Sequence, residues 1–219
     1  MKNKRIVIIV TMLVTLILLS ACDSSTYKNA MKLMDRGDYD SAIEIFASIP
    51  DYSDSAEKVI ECTYNKAVDL MNAGKFDNAV EIFNTITDYN DSVEKAKECY
   101  YLMALDLMDR GSFHGASLLF QKVGNYSDSQ DMIKECSYLE GLAYMEQGKY
   151  PDARECFDQI RPYKDSDELM KEAMDAGAYE RALEYLQNSN YESSYNIFAR
   201  LAEEGYKDAG DYFARFEVV

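Results

Sequence analysis

A fixed 37-residue period governs this chain. A Gly–aromatic–Ala–Phe skeleton recurs as Gly37-Tyr39-Ala42-Phe46, Gly74-Phe76-Ala79-Phe83, Gly111-Phe113-Ala116-Phe120 and Gly148-Tyr150-Ala153-Phe157. A second element keeps the same step: Tyr52-Asp54-Ser55, Tyr89-Asp91-Ser92, Tyr126-Asp128-Ser129 and Tyr163-Asp165-Ser166, with a later copy at Tyr206-Asp208-Ala209. Self-similarity in this range marks a solenoid, in which each unit buries its apolar face on its neighbours.

The unit reads as two helices. Gly and Pro number only 10 and 3 among 219 residues, and few breakers with many Ala, Leu, Met and Glu favour an all-α chain. Within residues 54–73, Ala56, Val59, Ile60, Thr63, Ala67, Leu70 and Met71 recur at steps of three and four, which predicts one long helix with a buried stripe. Gly74 tolerates a left-handed conformation and ends it. A shorter helix follows over 76–86, with Ala79, Ile82, Phe83 and Ile86 on one face.

Asp54, Asp91, Asp128, Asp165 and Asp208 stand where long helices begin, with Glu57, Glu94, Asp131, Glu168 and Asp211 three residues on. That spacing predicts capping boxes, each Asp accepting the N3 amide. A cation site is the competing use of Asp51 with Asp54 and of Asp88 with Asp91, but neither pair has the Gly or the distal Glu of a calcium loop. The Tyr before each Asp is expected to act as an apolar staple with its hydroxyl at the surface. The fifth unit is looser, since Tyr163 and Tyr179 are 16 residues apart where Tyr52 and Tyr64 are 12 apart. We read a first helix one turn longer, with Gly177 as a weak point. The alternative takes Gly177 as the turn of a shortened repeat. The longer helix is preferred because Tyr191, Ser194 and Phe198 then align with Phe76, Ala79 and Phe83. Residues 208–216 form a closing helix.

The skeleton Ala67, Gly74, Phe76, Ala79, Phe83 resembles the small–Gly–aromatic–Ala–aromatic spacing of tetratricopeptide repeats (TPR). The resemblance covers roughly residues 27–216. It implies a right-handed α-solenoid of about five TPR-like helix pairs, near 27–63, 64–100, 101–137, 138–178 and 179–216, plus a C-terminal capping helix. The departures are a unit longer than the family's roughly 34 residues, no Trp, and an Asp-Ser pair in place of the family's Pro.

Ahead of the repeats, Lys2, Lys4 and Arg5 precede an apolar run over residues 6–19. The run is short for a membrane span and suits a signal-peptide core. It ends in Leu19-Ser20-Ala21-Cys22, which resembles the lipobox of bacterial lipoproteins. The resemblance implies cleavage after Ala21 and diacylglyceryl transfer to the Cys22 sulfur. Residues 1–21 are then the signal peptide, 22–26 the lipidated Cys with a short linker, and 27–219 the repeat domain. Two acyl chains anchor stably where one does not. In that family an Asp directly after the Cys goes with retention at the cytoplasmic membrane, so the resemblance implies, through Asp23, the outer leaflet of that membrane as the address. Residues 23–26, if extended, reach about 14 Å and start the array near the headgroups.

Net charge is −16, and without the three leading cations the remainder carries −19. Nucleic acid needs a cationic footprint and is excluded as a partner. The same charge favours an array projecting from an anionic leaflet. His114 is the one histidine, and no catalytic constellation, phosphate loop or Cys-x-x-Cys surrounds it. No enzyme activity, cofactor or metal is expected. Cys62, Cys99 and Cys136 are one period apart, on helices spaced too widely for a disulfide ladder. Cys136 with Cys156 is the one conceivable pair.

The resemblance also places a concave groove on the long helices. One row is Tyr27, Tyr64, Tyr101, Tyr138 and Tyr179, a second Val68, Leu105 and Leu142, and a third Met34, Met71, Met108 and Met145. An acidic rim follows at Asp35, Asn72, Asp109 and Glu146. Tyr and Met give adaptable contact area for a protein or peptide; the competing use of these rows is packing repeat on repeat. The expected function is a protein-interaction scaffold, with capture of peptides or cations in the acidic groove as the alternative.

Overall fold

A computed structural model of the chain describes residues 22–216. The expected signal peptide, residues 1–21, lies outside the described residues. Every regular element among them is helical: α1 (residues 22–34), α2 (Tyr39–Ala47), α3 (Ser55–Asn72), α4 (Phe76–Phe83), α5 (Ser92–Asp109), α6 (Phe113–Val123), α7 (Ser129–Glu146), α8 (Tyr150–Gln159), α9 (Ser166–Gln187), α10 (Tyr191–Glu203) and α11 (Ala209–Phe216). Long and short helices alternate, as the TPR-like pattern predicts. The chain forms two compact units, one ending at Leu102 and the other beginning at Met103, with the border inside α5.

In the first unit α2 packs on α3 and α3 on α4. Its core is a pair of phenylalanine plugs. Phe46 lies with Ala30, Ala42 and Cys62, and Phe83 with Ala67, Ala79, Ala96 and Cys99; both rings are fully buried. Small residues at Ala30 and Ala67 let each ring sit against its long helix. Burying a Phe contributes roughly 1.5–3 kcal/mol, so these plugs carry much of each pair's stability.

In the second unit α6 through α11 each pack on the next helix in sequence. Phe157 lies with Ala153 and Ala173, and Phe198 with Ala178, Ala182, Leu201 and Ala209. The helix surface facing Phe157 is Gly141, where an added Cβ would stand 2.7 Å from Phe157 Cε1. Here the ring approaches the long helix more closely than an Ala allows.

Each pair turns the same way. Gly74, at φ +72°, leaves α3 with its N–H donating to Met71 O, while Lys75 N–H donates to Leu70 O at 2.9 Å. These two bonds satisfy carbonyls that the helix end leaves open. After α9 the same geometry falls on Ser189, at φ +58°, with Asn190 N–H donating to Tyr185 O at 2.8 Å.

Two expectations change. Residues 22–26, expected as an extended linker, are the first turn of α1, and Thr26 Oγ1 donates to Cys22 O at 3.0 Å. At 1.5 Å per residue such a turn spans about 6 Å, not about 14 Å. The fifth unit does carry a longer first helix, 22 residues against 18 in α3, α5 and α7. Gly177 lies inside it and is a packing site: an added Cβ would stand 3.2 Å from Tyr150 Cβ.

Candidate interaction surface

Three of the five aspartates expected to build capping boxes do not. Asp54, Asp128 and Asp165 occupy the N-cap position, and none makes a side-chain cap hydrogen bond. Their turn holds the residue before Asp in the left-handed region, at Ser53, Asn90, Ser127, Lys164 and Lys207. The following serine is fully buried and donates back to the tyrosine carbonyl, from Ser55 Oγ to Tyr52 O and from Ser92 Oγ to Tyr89 O at 2.6 Å each.

The carboxylates are engaged from the previous long helix. Tyr27 Oη donates to Asp54 Oδ1 and Tyr64 Oη to Asp91 Oδ1, both at 2.5 Å. In the second unit Tyr138 Oη donates to Asp165 at 2.8 Å, and Tyr179 Oη donates to Asp208. The rings are wedged as well as tethered. Tyr64 meets Phe83 edge-on with centroids 5.8 Å apart and Tyr89 at 5.5 Å. Tyr179 meets Phe198 at 5.8 Å and Tyr206 at 6.0 Å. The Tyr expected as a simple staple (Tyr89 and its equivalents) therefore packs on an aromatic ring of the preceding long helix.

Electrostatics follow the bonds. The hydroxyl bonds to Asp54, Asp91 and Asp165 raise Tyr27, Tyr64 and Tyr138 above the ordinary tyrosine value, with burial adding to each. The bond from Tyr27 holds Asp54 below the ordinary carboxylate value. For Tyr179 burial is the larger cause and the bond to Asp208 the second, both upward. The Tyr row is thus a set of latches: Tyr64 and Tyr138, expected as open contact residues, are half-buried with their hydroxyls occupied. Tyr101 is half-buried as well.

The other rows stand at the edge of the core. Val68 and Met71 are half-buried against Ala67 and Phe83, and Leu142 and Met145 against Phe157. Leu105 and Met108 are half-buried too, while Asp35, Asn72, Asp109 and Glu146 are exposed. Within each unit these positions are half-exposed Met and aliphatic edges with exposed, largely acidic residues next in sequence.

No group of three or more His, Cys, Asp or Glu among the described residues is placed to hold a metal ion. His114 is exposed on α6. Cys62, Cys99 and Cys136 are fully buried, and burial pushes each thiol up to about 11. Cys136 and Cys156 are free thiols, and Cys22 is exposed.

Sequence reasoning missed a charge network in the second unit. Asp175, 4 % exposed, accepts from Arg200 at 2.9 Å and lies 3.5 Å from Lys171. Both cations also reach Glu204 at 2.7 Å. Asp175 lies in the stretch that makes α9 longer, so the available signal was the broken period itself.

A tetratricopeptide-repeat family model matches residues 135–161, the latter part of α7 with all of α8. Among solved structures the chain is similar to a putative kinesin light chain of Podospora anserina with nearly identical TPR-like repeats. The identity is 14 %, over 82 % of this chain and 92 % of that one, with a TM-score of 0.21. No curated protein matches the chain.

Proposed function

We propose that this chain is a bacterial lipoprotein, anchored by Cys22 at the outer leaflet of the cytoplasmic membrane. Its TPR-like repeats serve there as a protein-interaction scaffold. The repeated register of helix pairs carries this reading, since such units present extended surface and no catalytic constellation accompanies them in the sequence. The anchor rests on Leu19-Ser20-Ala21-Cys22 after a basic and apolar leader. An exposed Cys22 beginning α1 would set the acyl chains directly beneath the first repeat, which supports the same arrangement.

Each unit offers its own partner surface: the half-exposed Val68 and Met71 beside exposed Asn72 in the first, and the half-exposed Leu105, Leu142, Met108 and Met145 with exposed Asp109 and Glu146 in the second. Tyr64, Tyr101 and Tyr138 contribute only the ring edges left open. A cation site at Asp51 with Asp54 or at Asp88 with Asp91 is disfavoured, because Asp54 and Asp91 already accept tyrosine hydroxyls.

A photo-crosslinking residue at Asn72, with a control at exposed Glu81 of α4, tests the scaffold in cells; alkyne–palmitate labelling of the Cys22→Ala variant tests the anchor. A discrete protein adduct at Asn72 alone supports the reading. Equal labelling at both positions refutes the surface, and undiminished labelling of Cys22→Ala refutes the anchor.

A further inference from the structure

The second unit holds a site where the repeat is irregular. The four extra residues of α9 amount to one added turn. Beside that turn, between the start of α8, the middle of α9 and α10, lies a half-open cavity of about 900 Å³. None of Tyr138, Leu142 or Met145 lines it, so it is separate from the surface described above. Its floor is small-residue helix surface at Ala173, Gly177 and Ala178, and its apolar wall is Tyr150, Pro151 and Met174. Met174 is 48 % exposed, a large apolar side chain turned outward in a strongly acidic protein.

The charges facing this cavity are of both signs. Arg200 is occupied by Asp175 and Glu204. Arg154 makes no ion pair or hydrogen bond among the described residues, and Arg181 makes one hydrogen bond, from Nε to Gly177 O at 3.3 Å. Glu180 and Glu184, one turn apart on α9, also have no ion-pair partner among the described residues. A pure anion would meet the two carboxylates, and a pure cation the two guanidiniums. A zwitterion with an apolar body satisfies every group. Guanidinium groups take a carboxylate in paired hydrogen bonds, the glutamates take an ammonium, and Tyr150 with Met174 cover the apolar part. The volume lies within the range of small-ligand sites, roughly 300–1,000 Å³.

We propose that this cavity binds a short apolar peptide with free termini, a di- or tripeptide. Its α-carboxylate lies on Arg154 and Arg181, and its α-ammonium on Glu180 and Glu184. The site goes beyond the scaffold reading and does not rest on it.

The test is titration calorimetry on the full-length chain in mild detergent, with the dipeptide Leu-Leu, its N-acetyl form and its C-terminal amide. Leu-Leu should bind, and either cap should weaken it at least about tenfold, the scale of one lost charge-assisted contact. Arg154→Gln should weaken Leu-Leu about tenfold and leave the amide unchanged. Glu180→Gln should weaken Leu-Leu and leave the acetylated form unchanged. Arg154 and Glu180 are exposed and unpaired, so an unaltered thermal melt shows that each variant is folded. No binding of Leu-Leu at millimolar concentration overturns the proposal, as does equal affinity for the capped forms or indifference to both substitutions. Loss on capping one end only overturns the two-ended assignment. Crosslinking at Asn72 is unaffected by any of these outcomes, so the two readings fail separately.

Discussion

Tyr64→Phe isolates one latch, because it removes the hydroxyl on Asp91 and keeps the ring against Phe83 and Tyr89. A hydrogen bond to a charged group contributes about 1.5–3 kcal/mol net, against 0.5–1.5 for a neutral pair. Asp91 is exposed and Tyr64 half-buried, so solvent screens the bond toward the lower figure. The expected loss is about 1 kcal/mol. With a urea m value of about 2 kcal/mol/M, the unfolding midpoint falls by about 0.5 M with m unchanged. The assay is urea unfolding followed by circular dichroism, run as a cycle with Asp91→Asn and the double variant. A latch gives a coupling energy near 1 kcal/mol. A coupling below about 0.3 kcal/mol, within the usual error of additivity, would refute the claim that this bond ties one repeat to the next.

Gly141→Ala should destabilise by about 1–3 kcal/mol, because its Cβ would stand 2.7 Å from a buried ring; the same urea assay reads it, and Gly141→Ser should be worse. Ser189→Gly should stabilise by up to about 1 kcal/mol, since Ser189 holds a left-handed conformation that Gly adopts without strain. The latches also set a pH window. Tyr27 is raised from 10.0, chiefly by its bond to Asp54, so its contribution is complete below pH 10 and fades as pH rises through the higher folded value. Asp54 is lowered from 3.8, chiefly by that same bond, so its contribution is complete above that value and fades as pH falls through the depressed one. Melting temperatures across pH should therefore sag at both ends, and Tyr27→Phe should reduce the alkaline sag relative to the parent chain.

The helix pairs were legible because glycine, alanine and phenylalanine recur where a turn, a close approach and a plug are needed, and each of those demands is local. Asp54 was misread for an equally local reason. Its three-residue spacing to Glu57 is that of a capping box, and the group that engages it lies 27 residues upstream. The Tyr and Asp rows repeat in step, a signal that a pairing between rows would have explained; the tetratricopeptide resemblance instead placed the tyrosines in an open groove. The first turn of α1 escaped because residues 22–26 have no apolar stripe. The cavity beside α9 escaped because a four-residue insertion announces an added turn without saying what the neighbouring helices leave uncovered.

The sameness of the latches has a consequence for how such a chain can change length. Tyr27 holds Asp54 and Tyr64 holds Asp91 through the same geometry, so excising 37 residues between them would bring Tyr27 to Asp91 with the same coupling restored. Unequal recombination within the gene could thus add or drop a whole module without inventing a new joint. The exception is α9 itself: the latch that enters it, Tyr138 on Asp165, has the common spacing, but its extra turn and the latch that leaves it, Tyr179 on Asp208, match no other module. That helix would keep the last helix pairs together as a fixed terminus while the modules ahead of it multiplied or were lost.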